Sequence, residues 1–546
     1  MADTPPPTSR RRANSRSSKP PVDGQSSGGQ GSRDQHSAEQ SSGGERSHTS
    51  LDPAQRGSGD MDAEAFRRHG REVVDWIADY LETVGDRPVL AQVSPGDIRA
   101  QLPEHAPREP EAFSSILGDL DRIVMPGVTH WNHPAFHAYF AITGSGPGIL
   151  AETLIAALNV NGMLWRTSPS ATELEELVVD WMRDMMGLQA DWRGMITDSA
   201  SMSTLVSLAA ARERAGFDIR QRGMAGRRDL PMLTVYASEH AHSSVEKAAI
   251  TLGLGRDAMR HVPTDASFRM DPSALDEMIA ADIAAGHHPL ATVATVGTTS
   301  TTSIDPVSAV ANVHDRVAAT HGKTLWLHID GAYAGVAAIH PDHRYLIDGV
   351  DRADSFVTNP HKWLFTPIDA SLLFVKDPSA LVNAFALSAE YLTTDDDQVT
   401  DYMDWGVQLG RRFRALKLWM VLRYFGRDGI ARRIEEHISQ AAEFAERIGR
   451  HPDLALVAPV PLSTVCFRAE PSWAGGDPAQ IDALNRDLLN RINRSGAAYL
   501  SHTVVGGRYV LRLAVGNLRT TRQRLDATFN LITATLDDLR GAPAGQ

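Results

Sequence analysis

Cysteine is almost missing from this sequence: Cys466, in the strand-like run Thr464-Val465-Cys466-Phe467, is the only one in 546 residues. No intrachain disulfide can form, so a reducing compartment, the cytoplasm, is expected, and the thiol reads as buried and structural rather than reactive. Long apolar runs are also missing, since no stretch of about 18 apolar residues occurs, and this argues against a membrane-spanning helix. There is no excess of positive charge: 54 Lys and Arg stand against 67 Asp and Glu, a net charge of −13. A nucleic-acid surface on the folded part is therefore not expected. Large apolar residues are nearly absent before Leu51, so residues 1–60 cannot offset their ordering entropy and read as a disordered tail. Within it, Arg10-Arg11-Arg12 has no apolar segment after it, which excludes a secretory signal.

What remains is a chain with 42% hydrophobic residues, long enough to bury a large core in two or three subdomains. Phe66, Val73, Val74, Ile77 and Leu81 recur at helical spacing and predict an amphipathic helix that opens an N-terminal helical extension over 61–145. After the loop-like Gly144–Gly148, residues Ile149 to Val160 read as a mostly apolar helix. Five short apolar runs then alternate with helical patterns: Leu233–Ala237, Thr292–Val296, Leu325–Ile329, Phe356–Thr358 and Ser371–Val375. Continuous apolar strands with intervening helices imply an α/β domain, 146–425, with a mostly parallel sheet covered on both faces. From Gly426 a smaller α+β domain, 426–540, is expected, with a helix at Ile430–Ile448 and strands near Val465 and over Tyr509–Ala514. No internal repeat is evident.

The polar residues just past those strand ends carry the chemistry, because open α/β sheets bind ligands there. Ser199-Ala200-Ser201, ahead of a helix expected near Ser203, offers hydroxyls, backbone N–H groups and a positive dipole end to a phosphate, although the same string is a good helix cap. Asp330 ends an apolar strand, where a carboxylate needs a cation such as a protonated ring nitrogen, or else caps a helix or joins a buried ion pair. Lys362 lies one strand later, between His361 and Trp363, in an aromatic setting that disfavours the ammonium form and readies the amine to condense with a carbonyl. The pairing of Asp330 and Lys362 at successive strand ends distinguishes them from ordinary surface charges.

From Met61 to the C-terminus the chain resembles the aromatic-L-amino-acid decarboxylase family, the group II pyridoxal-phosphate decarboxylases. The motifs are Met125-Pro126-Gly127-Val128-Thr129-His130-Trp131, Ser168-Pro169, Thr172-Glu173-Leu174-Glu175, Ala241-His242-Ser243-Ser244-Val245-Glu246, Asp330-Gly331-Ala332-Tyr333-Ala334-Gly335, Asn359-Pro360-His361-Lys362-Trp363 and Gly410-Arg411-Arg412-Phe413-Arg414. The resemblance implies a fold-type I, aspartate-aminotransferase-like architecture with a seven-stranded sheet, a homodimer clasped by the N-terminal extension, and pyridoxal 5'-phosphate as cofactor. It further implies that Lys362 holds the cofactor and that Asp330 meets its pyridine nitrogen. His242 would stack on the ring, Ser199, Ala200, Ser201 and Asn359 would hold the phosphate, and Thr298, Ala332 and His361 would line the site. No metal is expected. The acidic segment Thr393–Asp401, with Asp395-Asp396-Asp397, reads as a lid ending at Tyr402, which the resemblance makes the proton donor that directs the product to the amine rather than the aldehyde.

Trp131, Tyr139 and Phe140 match positions that flank the substrate, but their neighbours depart from the family pattern. Ala141-Ile142 stands where the animal enzymes carry Pro-Thr. Asn161 and Met163, on a segment expected to reach in from the partner subunit, replace Ile and Phe, and Ile368 replaces an aromatic residue. The expected reaction is decarboxylation of an L-amino acid to the amine and CO2, with an aromatic substrate (Trp, Phe, Tyr or DOPA) first. The alternatives are a branched aliphatic substrate, an aldehyde synthase of the same family, and a cofactor-free scaffold.

Overall fold

The computed structural model describes residues 51–387 and 399–541. Residues 1–50 of the tail expected over 1–60, and most of the acidic lid segment, lie outside the described residues. Residues 51–60, assigned to the tail from composition, are not free of the fold. Asp52 is buried, accepts from His69 Nε2 at 3.0 Å and pairs with Arg68, next to a turn of 3-10 helix at Pro53–Arg56. One well-placed carboxylate anchors a stretch that apolar content alone could not.

Seven strands form the main sheet: β1 (Arg193–Thr197), β2 (Leu233–Ser238), β3 (Met259–Val262), β4 (His288–Thr295), β5 (Trp326–Asp330), β6 (Ser355–Thr358) and β7 (Ser371–Val375). Their order is β1-β7-β6-β5-β4-β2-β3, and only β7 runs against the others. The sheet is thus the mostly parallel one expected. Its strands are buried along nearly their whole length, as continuous apolar runs require when helices cover both faces. β1 and β3 went unread because they carry Arg193, Gly194, Arg260 and His261 among their apolar residues.

Five helices bear on the site: α1 (Ala63–Thr83), α2 (Gly146–Leu158), α3 (Pro169–Met186), α4 (Ala200–Arg214) and α5 (Arg414–Arg450). Asp62 caps α1 through bonds from Glu64 N and Ala65 N. Its Phe66 and Val74 stay more than half exposed. α5 breaks at Gly426, whose φ of 66° and ψ of 161° lie outside the helical region. Beyond it, a four-stranded antiparallel sheet of order β10-β11-β9-β8 is built from β8 (Leu454–Leu456), β9 (Thr464–Ala469), β10 (Ser501–Val505) and β11 (Arg508–Ala514). It has its own core around Phe444, Phe467, Leu488 and Leu511. Cys466 is buried within β9, its thiol donating to the Ser300 carbonyl at 3.2 Å and pushed up to about 11 by burial, so it is an inert structural group. Among the described residues, no helix is long and apolar enough to cross a membrane.

Candidate active site at the strand ends

Register brings the site together. Thr295 of β4 pairs with Asp330 of β5, and Asp330 pairs with Val357 of β6, so the carboxyl ends of three parallel strands lie in one row. The loops that follow are tied to each other: Asn359 N donates to the Ala332 carbonyl at 3.1 Å and Lys362 N to the Asn359 carbonyl at 2.9 Å. Gly297, at φ +88°, permits the β4 loop to fold close over the β5 loop, since a Cβ there would lie 2.7 Å from Ala334 Cβ. β1 runs parallel to β6 across the intervening β7, so the start of α4 reaches the same side of the sheet.

A cavity of about 190 Å3 opens at this row, lined by Phe140, Ser199, Ala200, Ser201, His242, Thr295, Gly297, Thr299, Asp330, Ala332, Tyr333, Asn359, His361 and Lys362. Nine of the ten expected cofactor residues line it. The exception is Thr298, which is fully buried with its hydroxyl 2.8 Å from Ser303 Oγ and 3.2 Å from Thr301 Oγ1. Its neighbour Thr299 faces the cavity instead. In a turn, residues do not alternate between faces with a fixed period, so the Gly297-Thr298-Thr299 string could not show which hydroxyl points inward.

α4 begins at Ala200 rather than near Ser203. Ser199 is its N-cap, accepting from Met202 N at 3.3 Å and donating to Asp198 at 2.8 Å. The helix N-terminus and its free N–H groups therefore face the cavity, as an anion requires. Asp330 is buried and accepts from Ala332 N at 3.0 Å, and its other oxygen has no hydrogen bond among the described residues. Burial, then the nearby Arg512, lowers the pKa of Lys362, while Asp330 partly opposes this. The Lys362 amine has no hydrogen-bond or ion-pair partner among the described residues and lies 5.2 Å from the centroid of the Phe140 ring. Burial also lowers His242, and it holds His361 at about 4, so both imidazoles are neutral near pH 7.

These groups fit pyridoxal phosphate. A one-sided buried carboxylate suits a protonated ring nitrogen, an unpartnered amine suits the aldehyde carbon, and a helix N-terminus suits the phosphate. The walls are apolar where the ring would lie. Phe140 stacks on Tyr333 with centroids 3.7 Å apart, and Tyr333 stacks on Trp363 at 4.8 Å.

Two supporting residues went unrecognised in the sequence. Tyr333 forms part of the wall, and Arg512 reaches in from β11, its guanidinium 4.5 Å from the Phe140 centroid and donating to the Ser300 carbonyl at 3.1 Å and to the Tyr139 carbonyl. A lone cation inside the apolar strand Tyr509-Val510-Leu511-Arg512-Leu513 was the available signal for Arg512.

The expected substrate residues are scattered by comparison. Phe140 and His361 line the cavity. Trp131 stacks on Tyr139 at 5.7 Å, and Tyr139, half-exposed, has its hydroxyl 3.2 Å from that of Tyr499, outside the cavity's lining. Ile142 is half-buried, and Ile368 is exposed. Asn161 accepts from Arg411 N at 2.9 Å and directs its amide to Met163 Sδ at 3.4 Å, and neither residue lines this chain's cavity.

Tyr402 is also not where the sequence reading put it. It is buried against β1, its hydroxyl donating to the Gly194 carbonyl at 3.2 Å and its ring lying 4.5 Å beneath the Arg411 guanidinium. Arg411 is itself fixed by an ion pair with buried Glu175 of α3, which also accepts from Ile196 N at 2.7 Å. The phenol is thus bonded to the backbone of the edge strand and does not line the cavity.

Comparison with known proteins agrees with this geometry. Residues 95–470 match the pyridoxal-dependent decarboxylase conserved domain. Phenylacetaldehyde synthase of Arabidopsis thaliana is 40% identical over 86% of this chain and 96% of its own length, and tryptophan decarboxylase 2 of Oryza sativa is 39% identical over 86% and 94%. The crystal structure of Oryza sativa TDC with PLP and tryptamine superposes with a TM-score of 0.84 at 37% identity, covering 88% of this chain and 99% of that one. The chain belongs to the pyridoxal-dependent decarboxylase family and is a pyridoxal-phosphate-dependent amino-acid decarboxylase of fold type I.

Proposed function

We propose that the preferred substrate is an aromatic L-amino acid, that the product is the amine, and that Lys362 holds the cofactor. The observation that carries the site assignment is the buried, unpartnered Lys362 amine on the same small cavity as the one-sided carboxylate of Asp330. Pyridoxal phosphate, when bound, supplies the electron sink for the pair left by the departing carboxylate. Asp330 would keep a proton on the ring nitrogen. Ser199, Ala200 and Ser201 take the phosphate at the start of α4, with Asn359 beside them, Thr299 in place of Thr298, and Ala332 against the ring. His242 would cover the ring of the bound cofactor, His361, held neutral by burial, would line the substrate side, and Phe140 and Tyr333 would exclude water.

The aromatic preference is supported by the Trp131–Tyr139 stack beside Phe140 and by the tryptophan decarboxylase relative. A homodimer is part of the same proposal. Leu150, Leu154 and Leu158 form an exposed apolar row on α2, and Phe66 and Val74 do the same on α1, faces that a second copy would cover. Ile142, Ile368, Asn161 and Met163 would then shape specificity at the subunit boundary. The 61–145 extension, the 146–425 large domain, the 426–540 small domain and a cytoplasmic location complete the proposal.

One observation favours a second product. With Tyr402 away from the cavity, nothing in its position selects amine over aldehyde, and the relatives include both decarboxylases and an aldehyde synthase. The deciding experiment incubates cofactor-loaded protein with each of the twenty L-amino acids and scores amine, aldehyde, CO2 and peroxide by mass spectrometry and peroxide assay. An aromatic amine without peroxide is expected. Aldehyde with stoichiometric peroxide would replace the product assignment, and turnover confined to aliphatic residues would replace the substrate.

A further inference from the structure

Remote from the cavity's lining, two histidines and a glutamate from separate parts of the chain come together. His340 and His343 bracket the start of the 3-10 segment Pro341–Ile347, which follows the β5 loop, and Glu435 projects from α5. A 3-10 helix has three residues per turn, so side chains three apart eclipse. The two imidazoles accordingly share one face, with centroids 5.2 Å apart. Glu435 Oε2 lies 2.7 Å from His343 Nε2, and one ligating atom from each of the three residues falls within 4.8 Å of the others. Both histidines are half-buried, whereas the Glu435 side chain is 47% exposed.

We infer that His340, His343 and Glu435 form a binding site for a divalent transition-metal ion of the zinc class, with solvent in the remaining position. Two imidazoles and a carboxylate are borderline donors suited to Zn2+ and Co2+ and poorly suited to Mg2+ or Ca2+, which prefer oxygen. Ligand atoms around a tetrahedral ion stand somewhat farther apart than 2.7 Å. The adjustment falls on Glu435, the most exposed of the three and the one at the end of a flexible side chain.

Two features compete with the ion. His343 Nε2 already hydrogen-bonds to Glu435, and His340 Nδ1 accepts a long 3.3 Å bond from Asp342 N at the helix start. On the other side, His343 Nδ1 is buried with no hydrogen-bond partner among the described residues, so the bond to Glu435 leaves this imidazole only half satisfied. A bound ion would clasp the segment leaving the Asp330 strand to α5. Two residues beyond Glu435 on that helix, His437 accepts from Trp363 Nε1 at 3.0 Å, next to Lys362. The site would thus brace the helix that supports the lysine turn.

The test titrates metal-stripped holoenzyme with Co2+ alone, then Zn2+ alone, and reads the visible d–d band of Co2+, metal stoichiometry after gel filtration, and the thermal midpoint. One equivalent with a tetrahedral-type band and a raised midpoint is expected. His340→Ala, His343→Ala and Glu435→Gln should each remove the band and weaken Zn2+ at least as much as the ~10- to 100-fold lost when outer partners of metal sites are removed. If His343→Ala fails to fold, Glu435→Gln, at an exposed side chain, carries the test alone. Metal binding unchanged by these substitutions, or no binding by the parent protein, would overturn the site and leave a His343–Glu435 hydrogen bond beside a helix cap.

Discussion

The floor of the cavity and its rim are built differently. The floor, made of Asp330, Asn359, His361 and Lys362, sits on central parallel strands, and its polar groups are held from behind: Asn359 Oδ1 accepts from Ser371 Oγ at 2.6 Å and His361 Nδ1 from Ala370 N at 3.0 Å. The rim, the segments expected to flank the substrate, carries Trp131, Tyr139, Ile142, Asn161, Met163 and Ile368 on loops outside this chain's cavity lining, several of them exposed in the single chain. Chemistry common to a family belongs on the floor, where orientation is fixed by strand register. Selectivity belongs on the rim, where a residue can change without disturbing the sheet.

The strongest way to break this contrast is at the floor. Lys362→Ala should abolish turnover and leave no cofactor fixed to the protein after borohydride reduction, while the thermal midpoint of the apoprotein stays near that of the parent. Asp330→Asn should retain cofactor and lose roughly 10^2- to 10^3-fold in kcat, the scale of removing one preorganised electrostatic partner. Cofactor fixed normally in Lys362→Ala would move the site elsewhere.

Next in size is the brace between floor and rim. Glu175 and Arg411 are both nearly fully buried and tie α3, β1 and the Asn161 loop together. Glu175→Gln leaves the guanidinium in place without its counter-charge and should cost about 3–5 kcal/mol in denaturant unfolding. A loss below about 1 kcal/mol would mean that water reaches Arg411.

Acid should act on the interior before it acts on the rim. His137, His314, His328, His361 and His437 are all held at about 4 by burial, against 6.5 for an ordinary histidine. Between those values the unfolded chain binds protons that the folded one refuses, so stability is fully present above about pH 6.5 and declines as the pH falls toward 4. Thermal midpoints measured from pH 7.5 to 4.5 should fall most steeply below 6. A flat profile would mean that these imidazoles are charged in the fold.

How far the sequence could be read follows the same division. Apolar runs bounded by polar strand ends exposed five of the seven sheet strands and nearly all of the floor, because strand period and burial fix where those residues must lie. Thr298 and Tyr402 failed for a different reason. Each sits in an irregular segment where motif order is preserved but side-chain direction is not, so Thr298 turned into a hydroxyl network and Tyr402 onto the Gly194 carbonyl. Arg512 and the Arg411–Glu175 pair join segments hundreds of residues apart, and no local pattern records such contacts.

The smallest expected effect is the one that separates motif from geometry most sharply. Tyr402→Phe removes one hydrogen bond to a backbone carbonyl and keeps the ring under Arg411, so it should cost about 1 kcal/mol of stability and leave the amine-to-aldehyde ratio unchanged. Between Lys362 and Arg414 the sequence has one other tyrosine, Tyr391, which lies outside the described residues. The same substitution there is the informative counterpart, scored by aldehyde and peroxide under identical conditions. If only Tyr391→Phe raises the aldehyde fraction, proton delivery lies with the stretch just before the acidic segment and Tyr402 is packing. If Tyr402→Phe alone does so, the phenol must leave the Gly194 carbonyl during turnover, and the segment that carries it would then be part of the chemistry rather than a frame around it.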